Sequence, residues 1–275
     1  MPQFAVVLGG GAARGAAHIG VLRALAEADL QPDLVVGVSV GAIVGAAYCR
    51  EVDPQKAVAR LSLLAQRLQG EMAGLPPFKR FQRALQILSY RNRRAVLEKD
   101  LALRGLSFSH LCTPFLVTAT RLLPFGREVL GTSQEKSVVE AVLASSALPS
   151  HLPIRADGRL YLDGGLTGNL PTLVAARAGA KIILAVNLGF IFKRRDLLFP
   201  WTWMDRLWEV QMRREMEVSR RMGAFVVELF SPEVEAESVL AFERLDKLEE
   251  LGYKACLNLV PALTGAIERN RQPHP

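Results

Sequence analysis

A serine between two glycines is the residue of this sequence best suited to nucleophilic chemistry. Ser39 is the centre of GVSVG, which lies where the apolar run Leu34–Val38 ends and the helical sequence AIVGAAY follows. A strand, a tight turn and a helix in that order form a nucleophile elbow. Gly37 and Gly41 permit the sharp turn, and the start of the helix directs its N–H groups and its dipole at the hydroxyl. The motif alone also fits an ordinary turn in which Ser39 caps the helix.

A glycine-rich loop, GGGAARG at Gly9–Gly15, follows the first apolar run and opens a helix. The backbone N–H groups of such a loop bind anions. A dinucleotide site needs an acidic residue at the end of the second strand, but that strand ends in Gly37 and Asp33 lies before it. A Walker loop needs Gly-Lys-Ser/Thr, which is absent. An oxyanion hole needs only the amides, and Ser39 supplies a nucleophile for it.

None of the histidines is placed by chain order as the base of a catalytic triad. His274 lies in the polar tail, and His18 lies inside the first helix, where a structural role is favoured. His151, in PSHLP, stays a candidate base although no spacing rule supports it. The remaining histidine is His110.

Asp163 is the stronger candidate for the base. It ends the strand-like sequence LYL and begins DGG, so its carboxylate is expected at the carboxyl edge of a sheet, where α/β sites form. Gly164 and Gly165 let the backbone turn sharply and leave room for Ser39. A simple Asp-Gly turn is the alternative that DGG alone leaves open.

The elements that must position these residues alternate along the chain. Short runs rich in Val, Ile and Leu alternate with longer segments of helical period, which predicts an α/β fold with a mostly parallel sheet. The predicted strands are Phe4–Leu8, Leu34–Val38, Phe115–Thr120, Leu160–Leu162, Ile182–Asn187 and Phe225–Leu229. The predicted helices cover about 14–28, 40–50, 54–69, 78–101, 134–145, 170–179, 204–222 and 242–269.

The composition fits one packed globular domain. The chain has 275 residues, a net charge of +7, 50% hydrophobic residues and 22% charged residues, which excludes a largely disordered or collagen-like chain. We expect a single domain over 1–275, with a motif-bearing core over about 4–187 and a C-terminal helical and flap region over about 188–275. No nucleic-acid partner is expected, and no oligomeric state is predicted.

The cysteines indicate a reducing compartment. Cys49, Cys112 and Cys256 are widely spaced and odd in number, without a CxxC pair, so neither a disulfide framework nor a zinc site is predicted. The N-terminal apolar run is shorter than the core of a signal peptide, and no run approaches the length of a spanning helix. The expected location is cytoplasmic, with peripheral contact at the inner membrane surface.

Two segments could make that membrane contact. The segment 79–104 carries a net charge of +6 and includes Arg91 and Arg93. The segment 189–208 holds every tryptophan of the chain, among them Trp201 and Trp203. Basic residues and indole rings both favour a membrane surface. A solvated helix face and a packed helix are the alternatives for the two segments.

Taken together, the motifs resemble those of the bacterial patatin-like phospholipases. That family carries a glycine-rich loop, a GxSxG nucleophile and a DGG or DGA motif in the order found here. The sequences ASSALP at Ala144–Pro149 and GNLP after DGG also match, and the resemblance covers about 4–187. Two positions depart from it, because Ala12 stands at a usual glycine and SHLPI replaces an aromatic-Pro-Pro run.

The resemblance implies a three-layer α/β/α fold and a lipid acyl hydrolase with a Ser39–Asp163 dyad, of phospholipase A or lysophospholipase type. Asp163 acts as the base on a Ser39 acyl-enzyme, so its pKa should be raised or its proton transfer coupled to attack. The chemistry needs no metal and no organic cofactor. The implied oxyanion donors are the amides of Gly10, Gly11, Ala12 and Val40. The implied supporting residues are Gly9, Arg14, Gly15, Gly37, Gly41, Gly164, Gly165 and Asn169, with Arg14 expected to anchor the loop rather than touch a phosphate.

Two alternatives to a lipid hydrolase remain at the level of sequence. One is a soluble carboxylesterase or thioesterase with the same dyad. The other is a membrane-associated regulatory protein with little catalysis, against which the intact Ser39 and Asp163 argue.

Overall fold

A computed structural model describes residues 3–147, 153–189 and 200–271, apart from the side chains of 200–205 and 271. Within this part of the chain, the strands join into a single sheet of eight. The strands are β1 (Phe4–Leu8), β2 (Leu34–Val38), β3 (Phe115–Arg121), β4 (Gly126–Leu130), β5 (Ile154–Ala156), β6 (Arg159–Leu162), β7 (Ile182–Asn187) and β8 (Phe225–Phe230).

The centre of the sheet is parallel, in the order β3-β2-β1-β7-β8. Every residue of β1, β2 and β7 is buried. Strands covered on both faces are near-continuous apolar runs, which is why the sequence predicts them without period-2 alternation. The antiparallel strands β4 and β6 both pair with β3, and β5 pairs with β6.

Helices supply the crossovers between the parallel strands. The helices are α1 (Ala16–Glu27), α2 (Val40–Arg50), α3 (Pro54–Gly70), α4 (Pro77–Ile87), α5 (Tyr90–Ala95), α6 (Val138–Ser145), α7 (Thr172–Arg177), α8 (Pro200–Arg221), α9 (Pro232–Ala236), α10 (Leu245–Leu257) and α11 (Val260–Arg271). A π-helical turn, Val96–Asp100, continues α5.

The apolar core lies on both faces of the sheet. Alternate residues of β1 belong to different clusters, with Val6 and Leu8 on one face and Ala5 and Val7 on the other. The first cluster is covered by α1, α2, α3 and α10, and the second by α7 and α8. The predicted α/β class with three layers is therefore confirmed.

Strand β6 pairs with β3 on the same side as β2, beyond the point where the pairing with β2 ends. The β2 pairing ends where Val38 meets Thr118 of β3, and the β6 pairing begins two residues further on, where Leu162 meets Thr120. Because β6 runs antiparallel to β3, its last residue points back toward the end of β2. Asp163 thus follows directly at the carboxyl edge of the parallel strands, although the strand that delivers it is not one of them.

Two predicted helices are divided in the structure. The predicted helix 78–101 breaks after α4, and Ser89 starts α5 by accepting a hydrogen bond from the Asn92 amide at 3.4 Å. The predicted helix 242–269 becomes a 3-10 turn, α10 and α11. The strands β4 and β5 were not predicted from the sequence.

The described residues beyond 188 pack into the same sheet and core. Strand β8 pairs with β7 along its whole length. Helix α10 packs closely on α1, since a Cβ at Gly252 would overlap the carbonyl of Ala17 and one at Gly20 would overlap the carbonyl of Glu249.

Candidate active site

Ser39 sits on a sharp turn between β2 and α2. Its φ of 54° and ψ of −122° lie in a region that a residue with a Cβ rarely adopts. The Ser39 amide donates to Ser145 Oγ at 2.9 Å, and Ser145 Oγ donates to the Thr118 carbonyl at 2.7 Å. These bonds hold the strained turn against β3.

The glycines on either side of Ser39 are required by close approach of the backbone. A Cβ at Gly37 would lie 2.6 Å from the Gly41 carbonyl oxygen. One at Gly41 would overlap the carbonyl of Leu8 at the end of β1. The elbow therefore packs directly on the neighbouring strand β1.

The Ser39 hydroxyl donates a hydrogen bond to Asp163 Oδ2 at 2.7 Å. The other carboxylate oxygen, Oδ1, accepts from the Gly165 amide at 2.8 Å. The Asp163 backbone is also fixed, because its carbonyl accepts from Thr120 Oγ1 at 2.9 Å and its amide donates to the Ala147 carbonyl at 2.7 Å. Both residues are thereby held in the geometry that a nucleophile and its base require.

Asp163 is almost completely buried, at 7% exposure. Removal of its carboxylate from water raises its pKa, and this effect outweighs the hydrogen bonds from Ser39 and Gly165 and the positive charge of Arg93, which lower it. A raised pKa makes a carboxylate a better proton acceptor, which suits the expected role of Asp163 as a base.

The glycine-rich loop is tied to β7 and to the segment after Asp163. The Gly9 amide donates to the Val186 carbonyl at 3.1 Å, and the Gly10 amide donates to the Asn169 carbonyl at 3.3 Å. Asn169 Nδ2 in turn donates to the Gly10 carbonyl at 3.2 Å. The prediction of Gly10 as an oxyanion donor is therefore wrong, because its N–H is already used to position the loop. A Cβ at Gly10 would lie 3.2 Å from Ser39 Cβ, so the loop still borders the nucleophile.

Three of the predicted oxyanion donors keep an available amide. The N–H groups of Gly11, Ala12 and Val40 have no hydrogen-bond acceptor within the described part of the chain. Val40 is the first residue of α2, where a helix leaves its amides unpaired. Ala12 has a φ of 48°, a left-handed conformation that glycine adopts more readily than alanine.

Two buried side chains anchor the loop from behind. Arg14 donates from Nε to the Glu237 carbonyl at 2.9 Å and from Nη1 to the Leu188 carbonyl at 3.2 Å, which are contacts of the anchoring kind expected for it. His18 Nε2 donates to the Gly9 carbonyl at 2.8 Å. Burial lowers the pKa of His18 to about 4, so the ring is neutral at pH 7.

The glycines that follow Asp163 and precede α1 allow further close contacts. A Cβ at Gly164 would overlap the Thr118 carbonyl, and one at Gly15 would lie within 2.8 Å of Val40 Cγ1. A Cβ at Gly165 would lie 3.1 Å from Asp163 Oδ1.

An apolar cavity of about 130 Å³ opens beside Ser39. Helices α2 and α3 and the end of α4 form its walls, and Ser39, Ser146 and Arg93 are the lining residues with a polar side chain. Its aliphatic walls include Ile43, Val44, Leu61, Leu64, Ile87 and Leu88. No sequence motif predicts this cavity, because its walls form only when α2, α3 and α4 pack together around it.

The other candidate residues either lie away from Ser39 and Asp163 or belong to the part of the chain that is not described. His110 Nδ1 bonds to Ser107 at the start of a short turn. His151 and His274 lie outside the described residues, as do Leu148 and Pro149 of ASSALP. Ser145 of that motif accepts the hydrogen bond from the Ser39 amide and so helps to hold the turn.

The predicted membrane contacts are partly corrected. Arg91 is exposed, but Arg93 is 5% exposed and lines the cavity, so its prediction as a surface contact is wrong. The side chains of Trp201 and Trp203 lie outside those described. No helix in the described ranges combines the length and the apolar character that crossing a bilayer demands.

No group of three or more His, Cys, Asp or Glu side chains suited to a metal occurs among the described residues.

Comparison with known proteins relates this geometry to one family. The profile of the family described as "Patatin-like phospholipase" matches residues 6–176. The chain is 30% identical over 288 residues to Lysophospholipase NTE1 of Mycosarcoma maydis, which covers 94% of this chain and 15% of that protein. It is 28% identical over 282 residues to Patatin-like phospholipase domain-containing protein 6 of Homo sapiens, which covers 91% of this chain and 20% of that protein. The chain thus spans a fifth or less of the length of these relatives.

Solved structures share the fold at low sequence identity. Human GIVD cytosolic phospholipase A2 superposes with a TM-score of 0.57 at 12% identity, covering 97% of this chain and 60% of that chain. VipD from Legionella pneumophila superposes with a TM-score of 0.51 at 15% identity, covering 95% of this chain and 67% of that chain. Both agree with the three-layer architecture.

Proposed function

The chain belongs to the patatin-like phospholipase family, and from that membership we propose that it is a lipid acyl hydrolase of phospholipase A or lysophospholipase type. The observation that carries the proposal is the 2.7 Å hydrogen bond from Ser39 Oγ to Asp163 Oδ2 at the mouth of an apolar cavity. A nucleophile with its base in place and an adjacent aliphatic pocket suits an ester of a long acyl chain.

The reaction proceeds through an acyl-enzyme. Ser39 Oγ attacks the ester carbonyl carbon while its proton passes to Asp163, and the carbonyl oxygen takes the negative charge. The amides of Gly11, Ala12 and Val40 stabilise that oxyanion. Collapse expels the alcohol, which takes the proton from Asp163. Water then attacks the acyl-enzyme and gives a proton to Asp163, and collapse of this second intermediate releases the acid while Asp163 returns the proton to Ser39 Oγ.

Lipid esters are favoured over small soluble esters by the character of the pocket. Its lining is apolar apart from Ser39, Ser146 and Arg93, so burial of each methylene of a bound chain in it is favourable. The names of the relatives, a lysophospholipase and a patatin-like phospholipase, point to the same class of substrate.

Paired assays with a phospholipid and a soluble ester test the proposal. We expect hydrolysis of a long-chain phospholipid or lysophospholipid, lost in Ser39→Ala and Asp163→Asn with the fold retained. Ser109→Ala, which changes a hydroxyl away from the site, is the matched control. Turnover of soluble esters alone would favour an esterase, and no turnover of either would favour a regulatory role.

Two further measurements address the mechanism. A fluorophosphonate should label Ser39 and block activity, whereas EDTA should leave activity unchanged. Because burial raises the pKa of Asp163, activity should be lost on the acid side at a pH above the ordinary range of an aspartate. Restoration by a metal after chelation would contradict the dyad mechanism.

We also propose that α4 brings the protein to a lipid surface. Phe78, Phe81 and Leu85 point outward on this helix, at 70%, 50% and 45% exposure, while Ile87 on its inner face lines the cavity. Exposed Arg91 follows the helix and adds positive charge. An apolar stripe beside basic residues fits peripheral docking on an anionic membrane, with Trp201 and Trp203 as further contacts.

The free cysteines Cys49, Cys112 and Cys256 suit a cytoplasmic location for this contact.

Co-sedimentation with anionic vesicles at low and high salt tests the docking face. We expect Phe78→Ser/Phe81→Ser to weaken binding at both salt concentrations, and Arg91→Glu to weaken it mainly at low salt. Phe225→Ser is the matched control, since this phenylalanine is also exposed but begins the edge strand β8 and is not part of α4. Loss of binding only with Trp201→Ala/Trp203→Ala would assign the contact to the start of α8 instead.

A further inference from the structure

One arginine of the basic segment lies inside the protein. Arg93, on α5, is 5% exposed and lines the cavity next to Ser39. Its neighbour Arg94 instead donates to Glu98 and Glu140 near the surface. Among the described residues that line the cavity, Arg93 carries the one charged side chain.

The guanidinium of Arg93 is poorly satisfied by the protein. Its Nε and Nη2 atoms are buried, and neither finds a hydrogen-bond acceptor in the described ranges. Asp163 attracts it through space, but the two oxygens of that carboxylate accept from Ser39 and Gly165. A buried cation without acceptors is costly, and a ligand that supplies anionic oxygens removes that cost.

The position of Arg93 limits which kind of anion could bind it. The cavity walls beyond it are aliphatic, and its charge is close enough to Asp163 to act on that carboxylate. An anion bound here therefore lies at the reacting end of the substrate and not at the far end of the acyl chain. In an acylated glycerophosphate the phosphate is joined to the ester through glycerol alone, and a guanidinium can bind phosphate oxygens in a bidentate manner.

We propose that Arg93 binds the phosphate of an acylated glycerophosphate and so selects phospholipids over neutral acylglycerols, an inference that rests on the proposed hydrolase function. A fatty carboxylate presents a similar pair of oxygens to the same guanidinium. The experiments therefore separate a lipid phosphate from the carboxylate product.

Kinetics with two monomeric substrates test the selection. Wild type, Arg93→Met and Arg93→Lys are compared on 1-lauroyl-lysophosphatidylcholine and 1-lauroylglycerol, below the concentrations at which either aggregates. We expect Arg93→Met to lower kcat/KM for the phosphate substrate, relative to the neutral one, by about tenfold or more, with Arg93→Lys between. Lys99→Met, at an exposed cation of the same segment, should leave the ratio unchanged. An equal fall on both substrates with a displaced acid limb would overturn the proposal, since Arg93 would then act only through Asp163.

Binding to an inactive variant separates this proposal from the proposed function. Ser39→Ala protein is titrated calorimetrically with decylphosphocholine, decanoate and decanol. We expect decylphosphocholine to bind at least about tenfold more tightly than decanol, and Arg93→Met in the same background to remove the difference. Decanoate binding as tightly as decylphosphocholine would overturn the assignment to phosphate, and equal binding of all three would overturn any role for an anion. If wild type hydrolyses neither lauroyl ester, the proposed function fails while the titration still decides the role of Arg93.

Discussion

At the scale of single residues, burial of the Asp163 carboxylate has opposite effects on activity and stability. Its burial favours the neutral form, so its pKa in the folded chain is higher than in the unfolded chain. A group of this kind stabilises the folded state at low pH, and that contribution is lost as the pH rises through the folded pKa. Above its folded pKa the ionised carboxylate is therefore a net cost to folding.

We predict that Asp163→Asn abolishes hydrolysis yet leaves the free energy of unfolding at pH 7 equal to or higher than that of wild type. An amide keeps an oxygen for the Gly165 amide but carries no charge to desolvate. Urea unfolding at pH 7 measures the difference, which should shrink toward acid pH. Ser39→Ala, which keeps the charge, is the control, and a clear loss of stability in Asp163→Asn at pH 7 would contradict the argument.

His18 should make stability fall in mild acid. The unfolded chain binds a proton on this ring near pH 6.5, whereas the folded chain does so only at about pH 4. Between these values the free energy of unfolding decreases as the pH falls, by about 3 kcal/mol in total, and below pH 4 this residue adds no further change.

His18→Gln tests that window, because glutamine can donate to the Gly9 carbonyl without taking up a proton. Its free energy of unfolding should depend less steeply on pH between 6.5 and 4 than that of wild type. His18→Leu, which lacks the donor, should be less stable than His18→Gln at pH 7. Equal slopes for wild type and His18→Gln would show that another group controls the acid response.

Motifs located the reacting residues of the site but not the groups that surround them. Ser39, Asp163 and Arg14 stand in short sequences whose backbone conformation the glycines determine, so their placement could be predicted locally. The hydrogen bond of the Gly10 amide could not be predicted in this way, because its acceptor is the Asn169 carbonyl from a distant loop. Arg93 belongs to a run of cations whose members look alike in sequence, and only tertiary packing distinguishes it.

At the scale of elements, the contact of α1 with α10 depends on two glycines. A Cβ at Gly252 would overlap the Ala17 carbonyl, and a rigid helix backbone cannot move aside locally. We predict that Gly252→Ala lowers the free energy of unfolding by about 1–3 kcal/mol by forcing the helices apart.

Gly70→Ala is the matched control for that substitution, because a Cβ at the end of α3 meets nothing within 4 Å. It should be neutral or stabilising by up to about 1 kcal/mol through helix propensity. Chemical denaturation of the two variants provides the comparison. Equal stabilities would mean that α10 can shift on α1 without cost.

The elements that sequence predicts best are those buried on both faces. All of the parallel strands were located from their apolar runs, and the ends of β1, β2 and β7 match the predictions. Strand β4 was missed because it pairs only with β3 and carries Arg127 and Glu128 in its middle, so it lacks such a run. The break after α4 was missed since it depends on Ser89, a small polar residue inside an otherwise helical pattern.

At the scale of the whole molecule, we propose that the described parts of the chain fold as one cooperative domain. Removal of everything after Asn187 would take β8 from the sheet and α10 from α1. Strand β7, buried throughout, would become an exposed edge. We predict that the fragment 1–187 is insoluble or lacks a cooperative thermal transition, whereas the full chain shows a single one. A soluble fragment with its own sharp transition would contradict the proposal.

The distance along the chain between the two partners of the dyad has a consequence for biosynthesis. Ser39 and Asp163 are 124 residues apart, and they meet only when β6 takes its place beside β3. Contacts between such distant residues require closure of a long loop and form late in folding. While the chain emerges from the ribosome, Ser39 therefore lacks its proposed base until most of the sheet exists, so we expect the proposed hydrolase to be inactive in the nascent chain.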